Sequence, residues 1–112
     1  MFGSITIEGQ QYNCDLIIRL GGKIKKRKKK LSKAVYGTSH TISLDEARYV
    51  YQRGAEQLIV GTGQYGLVEL SDEAAGYFEK KGCDVELLPM KEAILAWNEA
   101  SGATIGLFHV TC

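Results

Sequence analysis

A chain of 112 residues has room for one hydrophobic core, and folding would take roughly two thirds of its unfolded surface out of water. Its 45% hydrophobic and 24% charged residues exclude a disordered or fibrous chain, and no apolar run approaches the roughly 20 residues that cross a bilayer. A formal net charge of +1 steers the molecule as a whole toward neither nucleic acid nor membrane. The N-terminus lacks the charged start and apolar centre of a secretory signal, so a cytoplasmic location is expected. Three cysteines, Cys14, Cys83 and Cys112, make an odd set without a C-x-x-C pair; reduced thiols are expected, and neither a disulfide framework nor a zinc knuckle.

In chain order, residues 2–7 read as a strand, Glu8-Gly9 as a turn, and residues 12–20 as a second, half-buried strand interrupted by Ile17. The two predict an N-terminal β-hairpin. Eight of the 14 Lys and Arg residues then fall within residues 23–33, read as a basic loop, and the rest of the chain is left net acidic. Residues 31–42 are ambiguous, with 36–40 a loop. Ser43 followed by Glu46 is a capping box, in which the hydroxyl accepts a first-turn N–H and the Glu reaches back to the Ser amide. It opens a helix over residues 44–53, closed by Gly54.

The apolar run Leu58-Ile59-Val60 predicts a strand feeding a glycine loop, Gly61-Thr62-Gly63-Gln64-Tyr65-Gly66. Ser71, with Asp72 and Glu73 behind it, caps a second helix that ends at Lys80-Lys81-Gly82. Residues 83–88 form the next strand. Pro89 starts a third helix striped by Ala93, Ile94, Trp97 and Ala100, and residues 104–110 form the last strand. A hairpin followed by alternating helices and strands predicts a single α/β domain over residues 1–112, with about three helices and a largely parallel sheet. The carboxyl ends of parallel strands and the starts of the following helices share one edge, which brings together residues 39–43, 61–66 and 89–90. Ligands of open α/β sheets bind at that edge.

Phe2-Gly3-Ser4-Ile5 with Gly9 and Tyr12, the 58–63 core, and Ala93, Asn98 and His109-Val110-Thr111-Cys112 together resemble a family of small α/β proteins. That family includes archaeal and bacterial proteins of unknown function, an animal protein associated with adipocyte differentiation and a mitochondrial respiratory complex I assembly factor. The resemblance implies a three-layer fold around a central mixed sheet with at least one antiparallel strand. If the reversed strand is the last one, His109 and Cys112 leave the glycine-loop edge. The resemblance implies no reaction and no cofactor. Met90-Lys91 stands where typical relatives carry a Thr, and so long a lysine run is atypical.

Glycines at 61, 63 and 66 satisfy G-x-G-x-x-G, which in dinucleotide sites turns the chain tightly and sets a phosphate on a helix N-terminus. Here residues 67–70 intervene before the Ser71 cap, and Glu86, at the spacing of the ribose-binding acid, lies inside a strand. Dinucleotide binding is therefore not expected. The loop remains a candidate for a small anion or ligand, using Gly61, Thr62, Gly63, Gln64, Tyr65 and Gly66 with His40 beside it as acid, base or anion contact. His109, on the face of Ile105 and Leu107, reads as a hydrogen-bonded, semi-buried residue. No metal spacing and no catalytic constellation is recognised. Lys25, Lys26, Arg27, Lys28, Lys29 and Lys30 are candidates to contact phosphate or an acidic partner. Nucleic acid is the weaker of those two, since no aromatic residues are interleaved with the charges. The leading expectation is a non-catalytic protein-interaction or assembly module, with a protein partner or self-association. A small-ligand protein or enzyme built on the glycine loop and His40 is the alternative, and nucleic-acid binding through residues 23–33 the third reading.

Overall fold

The computed structural model describes residues 4–7, 9–63 and 66–110. In chain order its elements are β1 (Ile5–Ile7), β2 (Gln10–Tyr12), β3 (Leu16–Ile18), a 3-10 turn (Leu20–Gly22), β4 (Ile24–Lys26), α1 (Lys30–Tyr36), β5 (Thr41–Ile42) and α2 (Leu44–Val50). They continue as β6 (Gln57–Gly61), β7 (Glu69–Leu70), α3 (Asp72–Lys80), β8 (Asp84–Leu88), α4 (Met90–Glu99) and β9 (Thr104–Phe108).

Five strands form the central sheet in the order β4-β3-β9-β6-β8. β6 runs parallel to both β8 and β9, while β3 runs antiparallel to both β9 and β4. The sheet is therefore mixed, and its reversed strand is β3. The last strand is parallel, so His109 stays at the carboxyl edge beside the glycine loop. Leu58, Ile59 and Val60 of β6 are all buried because this strand is covered on both faces. On one face Ile17, Leu58, Val60, Ile105 and Leu107 pack with Ala47 and Val50 of α2 and Ala74 and Phe78 of α3. On the other face Leu16, Ile18, Ile59 and Phe108 pack with Ile5, Ile7 and α4. Three layers result. Gly106 of β9 lets α4 come close, since a Cβ there would stand 3.1 Å from Trp97 and 2.7 Å from Phe108.

Two expectations are corrected. The strand over residues 12–20 is broken: β2 folds back on β1, β3 enters the main sheet, and between them Asp15 is buried and accepts from the Val110 amide at 2.7 Å. The side-chain carboxylate of Asp15, beside its backbone carbonyl, which accepts from the Arg27 amide, fastens the chain there. Residues 23–33 are not a loop either. Ile24–Lys26 is a sheet strand whose Ile24 pairs with Ile18, and Lys30 begins α1, a fourth helix closed by Gly37 with φ 72°. The residue α1 buries is Ser32, so no apolar stripe announces this helix.

Candidate functional site

Strand register builds the site. β3 is antiparallel to β9 with Leu16 opposite Phe108, so the residue before β3 lies across from the residue after β9. Leu16 also faces Lys26, so the residue after β4 lies on the other side. Asp15, His109 and Arg27 therefore converge at the carboxyl edge of the parallel strands. The backbone continues the ladders into them, from the Arg27 amide to the Asp15 carbonyl at 3.1 Å and from the His109 amide to the Gly61 carbonyl at 2.8 Å.

The Arg27 side chain is fully buried. Its Nε and Nη2 donate to the two carboxylate oxygens of Glu46 at 2.5 and 3.1 Å, Nη2 donates to the Ser39 carbonyl at 2.6 Å, and Nη1 donates to Asp15 Oδ2 at 3.0 Å. Burial works against the guanidinium charge, but Glu46 first and then Asp15 outweigh it and hold the pKa above its ordinary value. Glu46 is itself completely buried and also accepts from the Ser32 hydroxyl. Its carboxylate does not return to Ser43 as a capping box requires. Ser43 Oγ accepts from the Glu46 amide at 3.1 Å, while the Ser43 amide is met by Ser32 Oγ at 2.9 Å.

Asp15 gathers donors from several elements. Besides Val110 and Arg27, Lys29 Nζ lies 3.5 Å from Oδ2, and His109 Nδ1 lies 2.8 Å from the same oxygen. Two cations and a backbone amide favour the ionised carboxylate, which can only accept, so the hydrogen of this short bond sits on Nδ1. Arg27 Nη1, 3.2 Å from Nδ1, is then a neighbour and not its hydrogen-bond donor. The other ring nitrogen, Nε2, is the one buried side-chain nitrogen or oxygen among the described residues without a hydrogen-bond partner.

Two of the residues singled out in the sequence stand against this ring. His40, half-buried, packs perpendicular to His109 with centroids 5.3 Å apart. Gly63 has φ +93°, and a Cβ on it would lie 2.8 Å from His109 Cδ2, so only glycine suits both the backbone and the ring. Gly61 serves packing, since a Cβ there would strike Phe108 at 2.8 Å. Thr62 ties the loop to β8 through amide and hydroxyl bonds to the Leu88 carbonyl. Gly66 takes the turn at φ 66°. Gln64 and Tyr65 lie outside the described residues, as does Cys112. The long connection after β6 contains β7, paired in parallel with β5, so α3 starts away from the glycines.

The basic run divides. Lys25, Lys26, Lys28 and Lys30 are exposed, Lys29 is half-buried against Asp15, and the Arg27 side chain is withdrawn from the surface altogether. The aromatic residue missing from the run arrives from α2: Tyr49 lies beneath Lys28 Nζ at 4.5 Å and Arg19 at 5.2 Å. A recess of about 500 Å³ opens among Lys25, Lys26, Lys28, Lys30 and Tyr49, and one of about 350 Å³ among Cys14, Asp15, Lys26 and Lys29. A third, mostly apolar recess of about 440 Å³ lies on the opposite face of the sheet, among Ser4, Pro89, Met90, Ile94 and Val110.

Asp15, Glu46, Ser32 and His109 were not singled out as one site by their sequence positions. For Asp15 a signal exists: Ile17 breaks the alternation of residues 12–20, and Asp15 shares the buried face of Ile17.

The chain matches the model of a family described as proteins of unknown function (DUF498/DUF598) over residues 1–104. Among solved structures it is similar to the conserved hypothetical protein PH1505 from Pyrococcus horikoshii, with 32% identity, a TM-score of 0.86, and coverage of 100% of this chain and 95% of that one. It is similar as well to a protein titled MT938, at 31% identity and TM-score 0.80, over 100% and 94% of the two chains. A protein from Bordetella parapertussis shares the fold at 15% identity and TM-score 0.72, over 96% of this chain and 88% of that one.

Proposed function

The chain belongs to the DUF498/DUF598 family of proteins of unknown function, and from that footing we propose that it is an interaction or assembly module that takes up an extended acidic segment of a protein partner along β4. The observation that carries this reading is the charge on a free strand. β4 is outermost in the sheet and pairs with β3 alone among the described residues. Between Leu16 and Leu44 there is no Asp or Glu, while Lys23, Lys25, Lys26, Lys28, Lys30 and Lys33 are all exposed. An edge strand offers unpaired backbone groups to an added strand, while its lysines would be desolvated by an apolar strand and repel a basic one. An incoming strand with Asp or Glu at alternate positions meets both demands. Tyr49 holds Lys28 and Arg19 near the edge through its ring face.

Fluorescence anisotropy of a labelled peptide alternating Glu and Val, with a single-stranded oligonucleotide of equal charge as competitor, tests the reading. The peptide is expected to bind with an affinity that falls as salt rises, to slow amide exchange in β4, and to lose at least tenfold in affinity in the Lys25→Glu/Lys26→Glu variant. Both positions are exposed, so unfolding of that variant should stay within about 1 kcal/mol of the parent. Absence of peptide binding at low salt, or binding indifferent to the charge reversal, overturns the proposal. Preference for the oligonucleotide replaces it with phosphate-backbone binding.

A further inference from the structure

The two outer strands of the central sheet carry opposite charge. β4 has two exposed lysines, Lys25 and Lys26, and no carboxylate, while β8 has two exposed carboxylates, Asp84 and Glu86, and no cation. β8 closes the far end of the sheet and pairs with β6 alone among the described residues, and its Leu87 is 42% exposed. Its sequence, Asp84-Val85-Glu86-Leu87, alternates acidic with apolar residues, the pattern that suits addition to β4.

Backbone direction agrees with charge. The Arg27 amide donates to the Asp15 carbonyl and the Arg19 amide to the Lys23 carbonyl, so residues 23, 25 and 27 turn their backbone groups to β3, and Ile24 and Lys26 turn theirs outward. In β8 the Asp84 amide donates to the Glu56 carbonyl and the Leu88 carbonyl accepts from the Thr62 amide, which leaves Val85 and Leu87 facing outward. β4 and β9 are both antiparallel to β3, so β4 runs in the direction of β8. Two copies laid side by side with their helices on matching faces therefore pair β4 with β8 in parallel. In the ladder where Lys26 bonds Val85 and Leu87 of the second copy, Lys26 stands opposite Glu86. Their side chains share a face, because Ile24 packs in the α4 cluster together with Ile59, the register partner of Glu86. The symmetric alternatives, β4 on β4 or β8 on β8, set like charges against each other.

We propose that the acidic strand taken up by β4 is β8 of a second copy of this chain, with Lys26 opposite Glu86, so that the sheet continues from one molecule to the next. This rests on the reading of β4 as an edge for strand addition and names its occupant. Because the two surfaces differ, every added copy leaves one basic and one acidic edge free, and the assembly grows past a dimer into a ring or an open row.

Sedimentation velocity across protein concentration tests this, with Lys26→Glu and Glu86→Lys, both at exposed positions, run alone and mixed. At low salt the weight-average mass of the parent is expected at least to double between micromolar and millimolar protein, and to fall back at high salt. Each variant alone should need about tenfold more protein to reach the same mass, and an equimolar mixture, which restores an opposite-charge pair at every junction, should recover the parental curve. Amide exchange at Lys26 and Leu87 should slow as the parent is concentrated. A parent that stays monomeric at millimolar protein and low salt overturns the proposal, as does association that Glu86→Lys leaves unchanged or that the mixture fails to restore. The Glu and Val peptide separates this proposal from the reading beneath it. If the peptide binds β4 while the parent stays monomeric, the strand edge stands and the second copy as its occupant falls. If the parent assembles, the peptide should disperse the assembly by occupying β4, and an assembly that persists with β4 saturated by peptide overturns the proposal.

Discussion

Arg27 sits between Lys26 and Lys28 in a run of like charge, yet its surroundings have nothing in common with theirs. Its planar fork matches the Glu46 carboxylate bidentately and still reaches Asp15 and the Ser39 carbonyl, a geometry that a lysine ammonium cannot reproduce. Removing one member of such a buried set strands the others, so Arg27→Met, which leaves Asp15 and Glu46 without their shared cation, is expected to lower the unfolding free energy by about 3–5 kcal/mol in urea titration. A loss below about 1 kcal/mol would mean that water reaches the carboxylates. Because the Arg27 pKa is raised, its stabilisation is fully present at every pH below its ordinary value and adds no slope near neutrality. The residue type was visible in the sequence, but its burial was not, since composition and periodicity assign a run of cations to solvent and only the partners from β3 and α2 reverse that.

At the scale of elements, the caps on α2 and α3 were legible because their physics is local. Ser43 and Ser71 each accept an amide from the first turn, from Glu46 and from Ala74, both at 3.1 Å. What distinguishes them is tertiary. Ser43 also donates to the Leu31 carbonyl at 3.0 Å and packs against Ser32, which binds Glu46. Ser71→Ala should therefore cost about 1 kcal/mol, the ordinary value of a cap, and Ser43→Ala visibly more, about 2 kcal/mol. Equal losses in parallel denaturation curves would show that the bridge to α1 contributes nothing. α1 escaped the sequence reading for the related reason that its buried residue is a serine satisfied by α2, and hydrophobic periodicity cannot report a polar contact.

For the molecule as a whole, the two parallel neighbours of β6 and the reversed β3 bring residues 94 positions apart, Asp15 and His109, into one hydrogen bond. The same packing leaves a signature on global stability. Cys83, buried in the layer of α2 and α3, has its thiol pushed up to about 11, first by burial and then by Asp84, from an ordinary 9.0. Between those values the unfolded chain has released the proton and the folded chain keeps it, so stability is full below pH 9 and falls as pH rises toward 11, by about 2–3 kcal/mol in all. Urea midpoints followed from pH 8 to 11 should fall less steeply in Cys83→Ala than in the parent. Parallel curves would show that the thiol is in contact with water.

What the sequence determined by itself is what depends on near neighbours: the α/β alternation, the strand at residues 58–60, the serine caps, the glycine turns, and the concentration of positive charge in residues 23–33. Hydrophobic period, capping and backbone preference act over a few residues, so they are written locally. The tertiary structure alone decided that β3 is the reversed strand, that β9 is parallel and keeps His109 beside Gly63, that Arg27 leaves the lysine face for Asp15 and Glu46, and that Tyr49 comes to lie under Lys28. Each of these depends on register between distant segments, where a shift of one residue would turn Asp15 or His109 to the opposite face of the sheet.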